Sequence, residues 1–203
     1  MCFTNKNIKH EGLLLSKSQC VKIEGSEVER TRKTKYLGVC IDERLTFSDH
    51  ISSILSKVYY IMSGLAYTVS FFNKEAKESV FKSVILPHLI YAVPVWYHFI
   101  LRKDKDRILR FLKYSAKILH LDFNYLKLTV NVSAKNEFIR MATKIHDDHN
   151  HPLHSYLKSL SVQSKKNLRN PFILPKYRIT LFKNSFVYRA ALFNQSKTLN
   201  DLL

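Results

Sequence analysis

The sequence predicts a mainly α fold: a helical bundle, preceded by a short β-hairpin and strand region and followed by a loop-rich basic tail. Three observations predict it. From Ser48 onward, apolar residues recur at three- and four-residue spacing, the mark of helices with one buried face. Before that point, short apolar runs alternate with polar and turn residues, as strands do. Gly 4 and Pro 5 in 203 residues are too few for an all-β protein built on tight turns. The same signals divide the chain into strands over 1–47, helices over 48–150 and a basic extension over 151–203.

Within the first part, Val21 and Ile23 alternate with Cys20, Lys22 and Glu24, and Gly25-Ser26 follows. A two-residue loop with glycine first suits a type II′ hairpin, after which Val28 resumes the strand. The run Tyr36-Leu37-Gly38-Val39-Cys40-Ile41 is nearly all apolar and predicts a strand buried on both faces. Gly38 leaves room there for another backbone or a ligand.

A long helix is predicted over 48–72. Ser48 is the expected N-cap, Asp49 faces the positive end of the helix dipole, and Ile51, Leu55, Val58, Met62, Leu65, Val69 and Phe72 keep helical spacing. Asn73 is the expected cap of a second helix, which Pro87 and Pro94 must kink or interrupt. From Ser83 to Leu101 no residue is Asp, Glu, Lys or Arg. That length permits a membrane span, but His88, His98 and two prolines favour a buried core helix. The next helix, Asp104 to Leu121, places Ile108, Leu109, Leu112, Ala116 and Leu119 on one arc and Lys103, Arg107, Arg110, Lys113 and Lys117 on the opposite one. No acid lies between Arg107 and Lys117 to offset them, so a partner of opposite charge is expected. A further helix is predicted from about Ala134 to Asp147, and a short one around Ser185 to Phe193.

Lys plus Arg is 33 and Asp plus Glu is 16, a net charge of +17. Such a field attracts polyanions, nucleic acid first and an anionic membrane surface second. The stretch from Asn150 to Asn200 carries Lys158, Lys165, Lys166, Arg169, Lys176, Arg178, Lys183, Arg189 and Lys197 and no acid. Three cysteines without a CxxC indicate neither a disulfide framework nor a zinc knuckle. No secretory signal precedes the strands, so a nuclear or cytoplasmic setting is expected. Catalytic signatures are missing: no phosphate-binding glycine loop, nucleophile elbow or converging carboxylate pair is present. The cluster from His146 to His154 reads as a solvated helix end, since its spacing is no known zinc pattern and Asp147-Asp148 sits at a polar helix terminus.

Three blocks carry a resemblance. Tyr36-Leu37-Gly38-Val39-Cys40-Ile41-Asp42, with Leu45, Phe47, His50 and Ile51 after it, resembles the KYLGV block of the reverse transcriptases of LINE-type, jockey-like non-LTR retrotransposons. Leu86-Pro87-His88-Leu89-Ile90-Tyr91-Ala92 with Trp96 resembles a later helix of that family, and Asn170-Pro171, Leu174-Pro175, Arg178 and Phe182 to Phe186 its C-terminal block. The resemblance implies the end of a polymerase palm, a thumb-like helical bundle and a trailing region. It implies a C-terminal fragment, because the family's magnesium-holding palm aspartates lie upstream of the KYLGV block and no Asp precedes Tyr36 here. No cofactor, no small-molecule substrate and no membrane partner are expected, and no catalytic residue is assigned.

The resemblance further implies a primer-grip-like hairpin at Tyr36, Leu37, Gly38 and Val39. Gly38 allows a sugar–phosphate backbone close, and Tyr36 offers a flat ring with a polar tip. The expected partner is an RNA/DNA template–primer duplex, recognised by shape and backbone. Its expected contacts are Lys103, Arg107, Arg110, Lys113 and Lys117, then Lys165, Lys166, Arg169, Lys176, Arg178, Lys183 and Arg189. A stand-alone RNA- or DNA-binding module and a non-functional structural remnant are the alternatives.

Overall fold

The computed structural model describes residues 31–155 and 180–190, with the backbone of short strands at 21–23, 26–28, 162–163 and 172–173. The chain is mainly helical, with short antiparallel strand pairs at its N-terminal side, as the sequence predicts. β1 (Val21–Ile23) pairs with β2 (Ser26–Val28), Ile23 opposite Ser26. Ser26 therefore belongs to the second strand and not to the turn. β3 (Lys33–Tyr36) pairs with β4 (Val39–Asp42), Tyr36 opposite Val39. The run from Tyr36 to Ile41 is thus not one buried strand. It reverses at Leu37-Gly38, and only Val39 within it is fully buried. Both turn residues have positive φ, 44° and 82°, the arrangement that matches strand twist in a two-residue hairpin.

Asp42 ties the hairpin to the first helix. Its carboxylate accepts from the N–H of Thr46 at 3.1 Å, the hydroxyl of Thr46 at 2.9 Å and the N–H of Phe47 at 2.8 Å. Burial raises this carboxyl, but those donors outweigh it and hold its pKa below the ordinary value. α1 (Ser48–Leu65) begins one residue earlier than a Ser48 cap would have it: Phe47, at φ 55°, takes the cap position and packs its ring on Phe99. The helix stops at Leu65, short of the predicted Phe72, and Val69–Phe71 forms a separate 3₁₀ turn with Val69 buried.

α2 (Lys74–Val80) is capped by Asn73, whose side chain accepts from Ala76 N–H at 2.8 Å. A π-helical stretch, Phe81–Ile85, leads into α3 (Leu86–Ile90), and Leu86 N–H bonds back to the Phe81 carbonyl. The widened turn accommodates Pro87, which has no N–H and would crowd a carbonyl in a regular helix. Ala92, at φ 52°, then breaks the chain direction before Pro94 opens α4 (Val93–Trp96). The uncharged stretch is core on one side only: Ile85, Leu86, Leu89, Val93, Trp96 and Ile100 are buried, whereas Val84, Tyr91, Val95 and Leu101 are exposed, so it is not a wholly buried helix. Among the described residues no helix is long and apolar enough to cross a membrane.

α5 (Arg102–Leu119) and α6 (Phe123–Asp147) complete the bundle. α6 starts well before Ala134, because Asp122 caps it through a 2.9 Å bond from Tyr125 N–H. Thr129, Val130 and Val132 lower the local helix preference there, and packing against α3, α4 and α5 overrides it. One core unites α1, α3, α4, α5 and the first half of α6 around Phe81, Phe111, Val58 and Met62. A smaller core joins Phe138, Ala142 and Ile145 of α6 to Phe186, Val187 and Ala190. β5 (Val162–Gln163) pairs with β6 (Phe172–Ile173), and α7 (Thr180–Asn184) ends at Ser185 before a helical turn over 186–190. The short C-terminal helix thus lies in two pieces, broken at the serine where it was expected to begin.

Candidate nucleic-acid interface

α1 and α5 lie side by side and run in the same direction. Ser48 donates to Asp104 at 2.6 Å, Arg107 donates to Ser52 at 3.0 Å, and the Tyr59 ring meets those of Phe111 and Tyr114 at 4.9 and 5.2 Å. α5 is rolled toward α1 more than its sequence suggests. Phe111 and Ser115 are fully buried, whereas Ile108 and Leu109 are half-exposed. The cause is the α1 partner: Tyr59 offers an aromatic edge that Phe111 fills.

The cationic residues of α5 separate into two kinds. Lys103, Arg110, Lys113 and Lys117 are exposed on one face, which Asp106 shares. Arg107, expected in that row, is turned inward. Its guanidinium lies 3.0 Å from an Asp104 oxygen, with the side chain 34% exposed. Asp104 is fully buried, so Arg107 serves first as its counter-ion. Lys113 also reaches over the Phe123 ring, at 5.7 Å.

Between the two helices runs a cleft of about 400 Å³ lined by Ser52, Leu55, Ser56, Tyr59, Arg107 and Arg110. Ser52 donates its hydroxyl to the Ser48 carbonyl at 2.8 Å and Arg107 donates to Ser52 and Asp104, so the hydroxyls of Ser56 and Tyr59 and the Arg110 guanidinium are the donors this furrow offers to phosphate oxygens. Sequence reasoning found the α5 side and missed the α1 side. The signal was present: Ser52, Ser56 and Tyr59 lie on one helical stripe, and no acid occurs from His50 to Lys74.

The hairpin tip projects from the bundle, with Tyr36 65% and Leu37 74% exposed. Tyr91 pins it by donating its hydroxyl to the Leu37 carbonyl at 2.7 Å. A Cβ on Gly38 would stand 3.4 Å from the Tyr91 ring, and the positive φ also favours glycine. Beside the tip is a second notch of about 340 Å³, lined by Lys35, Gly38, His50, Ser53, Lys57, His88 and Tyr91. Burial lowers the pKa of His50 and of His88, with Lys57 adding to the effect on His88, which favours the neutral form of both rings. Lys35 and Lys57 carry the positive charge of this notch.

Of the remaining expected contacts, Lys183 and Arg189 are among the described residues. Lys165, Lys166, Arg169, Lys176 and Arg178 lie outside the described residues. Lys183 is exposed on α7. Arg189 is half-buried, not a free surface cation. Burial lowers its pKa, and burial together with Arg189 and Lys105 pushes His98 down to about 4. The segment from His146 to His154 closes the end of α6: His146 meets the Asp147 carboxylate at 3.1 Å, and His154 meets the Ile145 carbonyl at 3.1 Å. Among the described residues no group of three or more His, Cys, Asp or Glu is placed to hold a metal ion.

No protein-family model matches the chain. No solved structure matches it. Curated proteins do. Over 79 residues it is 33% identical to the RNA-directed DNA polymerase from mobile element jockey of Drosophila funebris, covering 37% of this chain and 9% of that protein. Over 79 residues it is 28% identical to the "Probable RNA-directed DNA polymerase from transposon BS" of Drosophila melanogaster, again 37% of this chain and 9% of that one. Over 79 residues it is 29% identical to the Drosophila melanogaster jockey polymerase, with the same coverage. The match thus spans about a tenth of the length of these relatives. In that stretch the chain is similar to the RNA-directed DNA polymerases of jockey-like mobile elements, the family that the sequence resembles.

Proposed function

We propose that this chain holds an RNA/DNA template–primer duplex in the manner of a reverse-transcriptase thumb, with the α1–α5 cleft and the exposed cations of α5 on the duplex backbone. The observation that carries the reading is the exposed row Lys103, Arg110, Lys113 and Lys117 flanking a cleft lined by Ser52, Ser56 and Tyr59. Fixed cations and hydroxyls neutralise and position phosphates without reading bases. The hairpin at Tyr36 to Val39 acts as a primer-grip-like contact through its exposed Tyr36 ring, which offers a flat surface, while the room beside Gly38 is taken by the Tyr91 ring that anchors the tip. Holding a duplex, not making bonds, is what these residues supply. The relatives are polymerases by name, and the duplex is the partner their chemistry requires.

A blunt RNA–DNA duplex titrated across a salt series tests this. Four phosphate contacts predict a log affinity against log salt slope of about −3 to −4. Lys113→Glu with Lys117→Glu should weaken binding alike for unrelated sequences and flatten the slope. A salt-independent titration, or full affinity in that double variant, refutes the assignment of this face.

A further inference from the structure

We infer that Tyr60 in the C-terminal part of α1, Tyr67 in the turn that follows it and Phe71 in the 3₁₀ turn beyond form a stacking platform for unpaired nucleotides leaving the α1–α5 cleft. This rests on the duplex-binding reading of that cleft and extends it to a single-stranded overhang. The three rings are 80%, 85% and 86% exposed, more than the hairpin-tip residues. Large rings this open, close together in sequence, are costly to leave in water without a use. Small and polar residues alternate with Ile61, Leu65 and Val69 between them. Ser63, Gly64, Thr68 and Ser70 lie between them in the chain.

The hydroxyls of Ser63 and Thr68 are occupied, donating to the Tyr60 and Leu65 carbonyls at 2.7 and 3.2 Å. Gly64, one turn beyond Tyr60, has nothing within 4 Å of where a Cβ would stand, so the space beside the ring is open to a planar group. Among the described residues, none of the three rings packs against another ring. Charge decides the class of occupant. From His50 to Lys74 the chain has Lys57 and Lys74 and no acid, and the exposed Glu75 that follows stands between Lys74 and Lys77, so the local charge a phosphate backbone meets is positive on balance. Tyr60 follows Ser56 and Tyr59 along α1, which makes the platform continuous with the cleft that holds Arg107 and Arg110. Every base has a π face, so a row of rings accepts single strands of any sequence.

The experiment compares a blunt RNA–DNA duplex with the same duplex carrying a single-stranded extension of several nucleotides, using the full chain. The wild type should bind the extended duplex about tenfold or more tighter, by the usual strength of base–aromatic stacking. The triple variant Tyr60→Ala, Tyr67→Ala, Phe71→Ala should lose that gain and keep the affinity for blunt duplex. Tyr60→Phe with Tyr67→Phe should retain the gain, because the rings remain. Should the triple variant misfold by its thermal melt, the single changes Tyr67→Ala and Phe71→Ala carry the test, each losing part of the gain. Blunt binding with no gain from an extension overturns the platform and leaves the duplex reading standing. No binding to either duplex overturns both. Self-association of the wild type that the triple variant abolishes, seen by sedimentation, also overturns it, since the rings would then face a second copy of the chain.

Discussion

Arg107 and Arg110 line one cleft but should respond to substitution in opposite ways. Arg107 neutralises Asp104, which is fully buried and otherwise holds one hydroxyl bond, from Ser48 at 2.6 Å. Removing one partner of a buried ion pair costs about 3–5 kcal/mol, because the other charge stays behind. The Arg107 side chain is 34% exposed, so water replaces part of what it gives, and a cost of about 2 kcal/mol follows. In a protein of this size that lowers the melting temperature by roughly 4–8 °C. Arg110 is exposed, so Arg110→Ala should leave stability within about 0.5 kcal/mol. In duplex binding the order reverses. Arg110→Ala should make the salt slope less steep by about 0.9, one phosphate contact. Arg107→Ala should leave the slope of the folded fraction close to wild type. Adding Asp104→Asn to Arg107→Ala should restore part of the stability, since a neutral amide can keep the Ser48 contact without a stranded charge. Calorimetric melts and a salt series read both quantities. Equal melting of Arg107→Ala and wild type, or an Arg110→Ala melt as low as that of Arg107→Ala, refutes the division of labour.

Two further outcomes follow from the geometry. His98, pushed down from 6.5 to about 4, favours the folded state while it is neutral. Its contribution is complete above about pH 6.5 and drains as pH falls toward about 4, because the unfolded chain takes up the proton first. The full shift corresponds to about 3 kcal/mol, and solvent screening of a half-exposed ring reduces this to about 1.5 kcal/mol. His98→Phe should flatten that part of a stability–pH curve, and an unchanged curve would count against the burial of this imidazole. At the hairpin tip, Leu37 holds φ 44° with its side chain exposed, so Leu37→Asn should raise stability by about 1 kcal/mol in urea unfolding, with a fall in midpoint arguing against the turn.

Period and punctuation in the sequence determined the mainly helical class, the Asn73 cap, the interruptions at Pro87 and Pro94, and the part the uncharged stretch from Ser83 to Leu101 takes in the core. Those features depend on neighbours a few residues apart, and local spacing records them. Tertiary structure alone decided the turn at Leu37-Gly38, where an apolar run folds back because Tyr91 anchors its tip from the turn between α3 and α4. It decided the early start of α6, where packing outweighed β-branched residues, and the roll of α5 that buried Phe111 and drew Arg107 onto Asp104. It also brought Ser52, Ser56 and Tyr59 of α1 opposite Arg107 and Arg110 of α5, a meeting of residues about fifty positions apart in the chain. A helix period tells which residues share a face. Which other face they meet depends on how two helices pack, and that is set by side-chain shapes contributed from both.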